Sequence, residues 1–117
     1  MYNVANCYKH GKGVSEDWNK AYEYYTMSAK QGEIKAMNNL GACYDQGEGT
    51  DVNKTTAFEW FEKSANLGNG AAMCNVANCY KHGEGVVEDL NRARKWFTRA
   101  VAIGYPNAQE YLDDLNQ

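Results

Sequence analysis

The sequence predicts an all-α solenoid of helix-turn-helix repeats, closed by a C-terminal capping helix over 106–117. Three observations predict it. The 117 residues divide into three ungapped blocks of 36, at 1–36, 37–72 and 73–108, with nine left over. Nine columns are identical in all three blocks, among them Cys7/Cys43/Cys79 and Tyr8/Tyr44/Tyr80. Apolar residues recur at helical spacing between glycines, which splits each block into two amphipathic stretches. A period of this length means stacked units, because one such unit cannot bury its own apolar face.

The first helix of the middle block gathers Ala36, Met37, Leu40, Gly41, Cys43 and Tyr44 on one face. Asn38, Ala42, Asp45 and Gln46 lie on the other. Gly41, with Ala5 and Ala77 in its column, lets a partner helix approach closely. Gly47-Glu48-Gly49 then form a tight turn whose glycines suit positive φ. The second helix is expected to open at Asp17, Asn53 or Asp89, whose short side chains can accept from first-turn N–H groups. Asparagine in the middle block points to capping, not charge, as the shared property. This helix carries Ala57, Phe61, Ser64 and Ala65 on one face, with Ala21, Tyr25, Ser28 and Ala29 as counterparts. It stops at Gly32, Gly68 or Gly104, where a left-handed residue ends a helix. From Pro106 a fourth first helix begins and then departs from the pattern. Its Leu112 and Leu115 face inward, and Glu110, Asp113, Asp114 and Asn116 face out, as a cap requires.

Blocks one and three match at 19 of 36 positions, whereas block two matches either at 12. NVANCYKHG recurs at 3–11 and 75–83, which reads as a duplicated two-repeat unit. Met1 shares its column with Met37 and Met73, so the chain is expected to be the C-terminal part of a longer array. Its first repeat would then lack a cap and expose Val4, Tyr8 and Trp18 to end-to-end self-association.

Composition excludes several classes. The chain is 44% hydrophobic and 23% charged, which suits a folded domain and not a disordered one. No apolar stretch is long enough to span a bilayer. A net charge of −3 without Lys/Arg clusters argues against nucleic acid as a partner. The cysteine columns lie on successive packed helices, roughly 8–10 Å apart. That separation is too wide for a shared zinc, and a disulfide needs closer backbones. Free thiols without a secretory leader favour a reducing, cytoplasmic compartment.

The ordered residues Ala36, Asn39-Leu40-Gly41, Tyr44, Gly47, Gly49, Asn53, Ala57, Trp60-Phe61, Lys63-Ser64-Ala65 and Gly68 form a recognisable pattern. Gly11-Lys12-Gly13-Val14 and Lys20-Ala21 supply its remaining positions. The pattern resembles the Sel-one-like repeat, a 36-residue relative of the tetratricopeptide repeat, over residues 1–108. Thr50, Thr56 and Val101 are mild departures from it. The resemblance implies a right-handed solenoid with first helices lining a concave surface, and an adaptor or scaffold role in protein complexes. Some secreted relatives carry disulfides within their repeats, but here those columns hold Ala65 and Ala72. A penicillin-binding activity is ascribed to such cysteine-rich relatives, and it goes with the columns that this chain lacks.

Other chemistry finds little support. The Cys-x2-His pairs Cys7/His10 and Cys79/His82 each offer two of the four ligands a structural zinc needs. The G-x-G turns lie between helices and lack the third glycine of a dinucleotide fingerprint. The aromatics recur in packing columns, unlike exposed stacking platforms. The two histidines share one repeat column with no fixed acid beside them, so no hydrolase or redox site and no cofactor is expected.

The exposed stripe of the first helices is the candidate binding surface. It comprises Tyr2, Asn6, Lys9 and His10, then Asn38, Ala42, Asp45 and Gln46, then Cys74, Asn78, Lys81 and His82, with Glu110 and Asp114 on the cap. Amide side chains there can hydrogen-bond an extended peptide backbone, and the lysines can pair with acidic side chains. The expected function is a non-catalytic module that binds a protein or peptide segment on this face.

Overall fold

The computed structural model describes residues 15–116, with side chains from Trp18 onward. Six helices follow one another: α1 (Ser15–Lys30), α2 (Ile34–Gln46), α3 (Lys54–Asn66), α4 (Gly70–His82), α5 (Leu90–Ala102) and α6 (Ala108–Leu115). Each packs chiefly on its neighbour in sequence. Three-residue links (31–33, 67–69) alternate with seven-residue links (47–53, 83–89), so consecutive helices run antiparallel.

The links explain where the helices stop. Gly47 and Gly83 end α2 and α4 at φ 72° and 67°, and their N–H groups bond to the carbonyls of Cys43 and Cys79. Asn53 and Asp89 donate their N–H to the carbonyls of Tyr44 and Tyr80, which closes each seven-residue link. The same two residues then cap α3 and α5, accepting from the N–H of Thr56 and Arg92 at 3.1 Å each. Asp17 behaves differently. Ser15 and Glu16 already belong to α1, so Asp17 lies within the helix and not at its opening. Ser15-Glu16 suit a first helical turn, whereas the same columns hold Asp51-Val52 and Val87-Glu88, where β-branched valine resists helix.

The core is an alanine lattice around a few large side chains. Ala21, Tyr25, Ala29, Ala36, Met37, Leu40 and Cys43 form one buried cluster between α1 and α2. A second runs from Ala57, Phe58 and Phe61 through Val76 and Tyr80 to Phe97 and Ala108. Tyr44 packs against both, so the repeats share one continuous interior. Leu112 and Leu115 of α6 are half-buried against the second cluster, while Glu110, Asp113 and Asp114 are exposed. The short α6 therefore covers the open face of the last repeat.

Two glycines set how closely neighbours stack. At Gly49 a Cβ would strike the carbonyl oxygen of Trp18, and at Gly85 that of Lys54. These two G-x-G turns thus seat their second glycine on the first described turn of the preceding repeat's second helix. Within a repeat, a Cβ on Gly41 would fall 2.6 Å from the Phe61 ring, so the α2–α3 approach depends on its absence.

Candidate functional site

The stacking of repeats brings α2 and α4 side by side. Asn75 Nδ2 donates to Asn38 Oδ1 at 2.8 Å, joining the two helices across 37 residues of sequence. Asn38 lines one hollow, of about 260 Å³, with Lys35, Asn39, Asn69, Gly70, Ala71 and Tyr105. Asn75 lines the other, of about 320 Å³, with Asp45, Phe61, Asn78, Cys79, His82 and Glu84. The amide pair lies at the partition between them.

Electrostatics concentrate at the second hollow. Lys54 Nζ donates to Asp45 Oδ1 at 2.8 Å and to the Asp45 carbonyl at 3.0 Å. It also lies 3.8 Å from Glu84 Oε2, on the following repeat. Hydrogen bonding to Asp45 raises the Lys54 pKa, burial opposes the rise, and the charges of Asp45 and Glu84 add to it. The Gln46 amide donates to Asp45 Oδ2. One ammonium therefore serves two carboxylates.

The sequence-predicted stripe divides. Gln46, Asn78, His82 and Glu110 are exposed, and Asn38, Asp45 and Lys81 are half-buried. Cys74 does not belong to it. Its column faces the next first helix, as Asn38 faces Asn75, and for Cys74 that neighbour is the capping segment with Tyr105 and Ala108. At 6% exposure it is core. Ala42 likewise packs against the second buried cluster. A helix wheel assigns one buried face, but a first helix in a stack has a second neighbour, which narrows the free face. Tyr2, Asn6, Lys9 and His10 lie outside the described residues.

Sequence reasoning missed Asn75, Phe61, Lys54 and Glu84 as parts of the site. Asn75 had a signal, because Asn3/Asn39/Asn75 is one of the invariant columns. Lys54 comes from the second helix of the same repeat and Glu84 from the link after α4, and only stacking adds Glu84 to the Lys54–Asp45 pair.

Cys74 and Cys79 are free thiols, and both are buried, as is Cys43. Burial pushes the Cys74 thiol up to about 11. It pushes Cys79 up to about 12, with Asp45 and then Glu84 adding to the rise and Lys54 opposing it. Among the described residues, no three His, Cys, Asp or Glu side chains converge as a metal site. No described helix is long and apolar enough to cross a membrane.

The comparisons with known proteins agree with this architecture. The Sel1 repeat matches three times, over residues 1–33, 34–69 and 70–105. The second and third matches open where α2 and α4 open, three residues before the blocks drawn from Met37 and Met73. No curated protein matches the chain. Among solved structures, the chain is 31% identical to c5321, a protective antigen of uropathogenic Escherichia coli strains displaying an SLR fold. That likeness has a TM-score of 0.83 and covers 92% of this chain and 23% of the antigen. A Sel1 repeat protein from Oxalobacter formigenes is 25% identical with a TM-score of 0.88, over 98% of this chain and 46% of that one. The chain thus spans less than half the length of either protein. Cysteine rich protein B of Helicobacter pylori, at 19% identity, shares the fold, with a TM-score of 0.77 over 95% of this chain and 90% of its own. With three consecutive matches running from residue 1 to residue 105, the chain belongs to the Sel1 repeat family.

Proposed function

We propose that the chain is a non-catalytic protein-interaction module that holds an extended peptide segment along the first-helix face of α2 and α4. The observation that carries this reading is the row of amide and carboxylate side chains that the stack aligns there. Asn38, Asn75 and Asn78 follow one another across two helices, with Gln46 and His82 at the exposed end. An extended backbone needs donors and acceptors at intervals, which an asparagine supplies from a single side chain. Hollows of about 260 and 320 Å³ flank the amide pair and give side chains somewhere to go. Helical repeats present extended surfaces of this kind for binding.

The test begins with affinity capture of a partner and mapping of its shortest binding segment. Fluorescence polarisation then compares the native chain with the variant Asn78→Ala plus Lys81→Glu. The reading expects at least about a tenfold loss, near the 1.4 kcal/mol that one or two interface hydrogen bonds supply. Unchanged affinity would remove the assignment of this face. Ester and β-lactam hydrolysis assays on the same preparation test the non-catalytic part, and turnover in either would contradict it.

A further inference from the structure

We propose that the hollow between α2 and α4 is a subsite for a basic side chain of the bound segment, with arginine preferred to lysine. The inference rests on the reading of this face as the partner surface and names the chemistry it takes.

The cavity is built from three kinds of group. Phe61 lines it from the interior, and its ring lies close to α2 because residue 41 has no Cβ. The equivalent column holds Ala5 and Ala77 in the other two repeats, so the glycine belongs to the middle repeat alone. Asn75 and Asn78 supply amide oxygens at the side, and Asp45, Glu84 and His82 complete the lining. Lys54 satisfies Asp45 at 2.8 Å but stands 3.8 Å from Glu84, beyond hydrogen-bond reach. The Glu84 carboxylate thus keeps acceptor capacity beside the cavity.

The charges around the hollow are unequal. Two carboxylates, Asp45 and Glu84, line it and share the single ammonium of Lys54. This excess of negative charge disfavours acidic side chains. A guanidinium matches the carboxylate and the amides together. Its fork pairs with a carboxylate in two parallel bonds and its remaining N–H groups reach amide oxygens, above the mostly buried Phe61 ring. An ammonium satisfies the charge but not the paired, planar geometry.

The test is a 15N-HSQC titration of the full chain with N-acetyl-arginine methylamide as probe, beside its lysine, glutamate and alanine counterparts. The subsite predicts saturable shifts for arginine at the amides of Asp45, Asn75, Asn78, Cys79, His82 and Glu84. It predicts smaller shifts for lysine and none above the alanine baseline for glutamate. Glu84→Gln should weaken arginine binding by about fivefold, as expected for one exposed charge pair, and leave the rest of the spectrum in place. No saturable arginine shift, equal shifts with the alanine probe, or undiminished binding in Glu84→Gln would overturn the subsite. Those results leave the peptide-binding reading intact, because a segment held through its backbone still responds to Asn78→Ala plus Lys81→Glu. Loss of response to that double variant would remove the reading itself.

Discussion

Glycine does two different jobs in this chain, and substitution separates them. Gly68 ends α3 at φ 101° with open space where a Cβ would go. Gly85 has φ 74° and also sits against the Lys54 carbonyl. Gly68→Ala should therefore cost only the left-handed backbone penalty, about 1–2 kcal/mol. Gly85→Ala adds a backbone collision that nothing nearby can relieve, so its loss should exceed that of Gly68→Ala by about 1 kcal/mol or more. Urea unfolding of the two variants checks the order, and equal losses would contradict the stacking role of Gly85. The thiols give a second test at this scale. Cys79 ionises at 9.0 in its ordinary state and at about 12 in the fold, so the folded chain retains a proton that the unfolded chain releases. Tyr44, held by Tyr22 at 2.9 Å, is raised from 10.0 to about 12, and Lys54 is raised as well. All three act in one direction: their stabilisation is complete below about pH 9 and declines as pH climbs toward 12. The urea midpoint measured against pH should be flat near neutrality and fall on the alkaline side.

Helix boundaries carry the energy at the next scale. Asn53 and Asp89 each cap a helix through one side-chain oxygen, and Asp89→Ala should cost about 1 kcal/mol. Asp89→Asn should cost almost nothing, because Asn53 performs the same bond without charge. Thermal unfolding of the pair distinguishes capping from an electrostatic role. Ser64 makes a different tie: its hydroxyl donates to the Ile34 carbonyl at 2.8 Å and joins the end of α3 to the start of α2. The helices, their order and most of their stops were legible in the sequence, since the 36-residue period, the caps and the glycines are local signals. The expected helix opening at Asp17 falls inside α1 instead, because α1 extends into Ser15-Glu16, a difference of propensity that the repeat alignment conceals. Cys74 was misread because its burial depends on the capping segment, and no pattern within α4 records that neighbour.

At the scale of the molecule, the repeats act on one another through few but specific contacts. The aligned amides, the Lys54 bridge and the seated G-x-G turns all cross between units. A candidate surface assembled in this way is only partly visible in sequence: asparagine columns can be counted, but the meeting of Asp45, Lys54 and Glu84 is a product of stacking. The outward side of the second helices offers the contrasting surface. There Arg99 lies 4.2 Å over the half-buried Trp96 ring and Lys63 lies 5.3 Å over that of Trp60. These cations shield aromatic surface that would otherwise face solvent. A chemical-shift footprint of a captured partner segment on the labelled chain compares the two surfaces directly. The account predicts perturbed amides along Asn38, Asp45, Asn75, Asn78 and His82, with Trp60 and Trp96 unmoved. A footprint centred on Trp60, Lys63, Trp96 and Arg99, with the α2–α4 face silent, would contradict it.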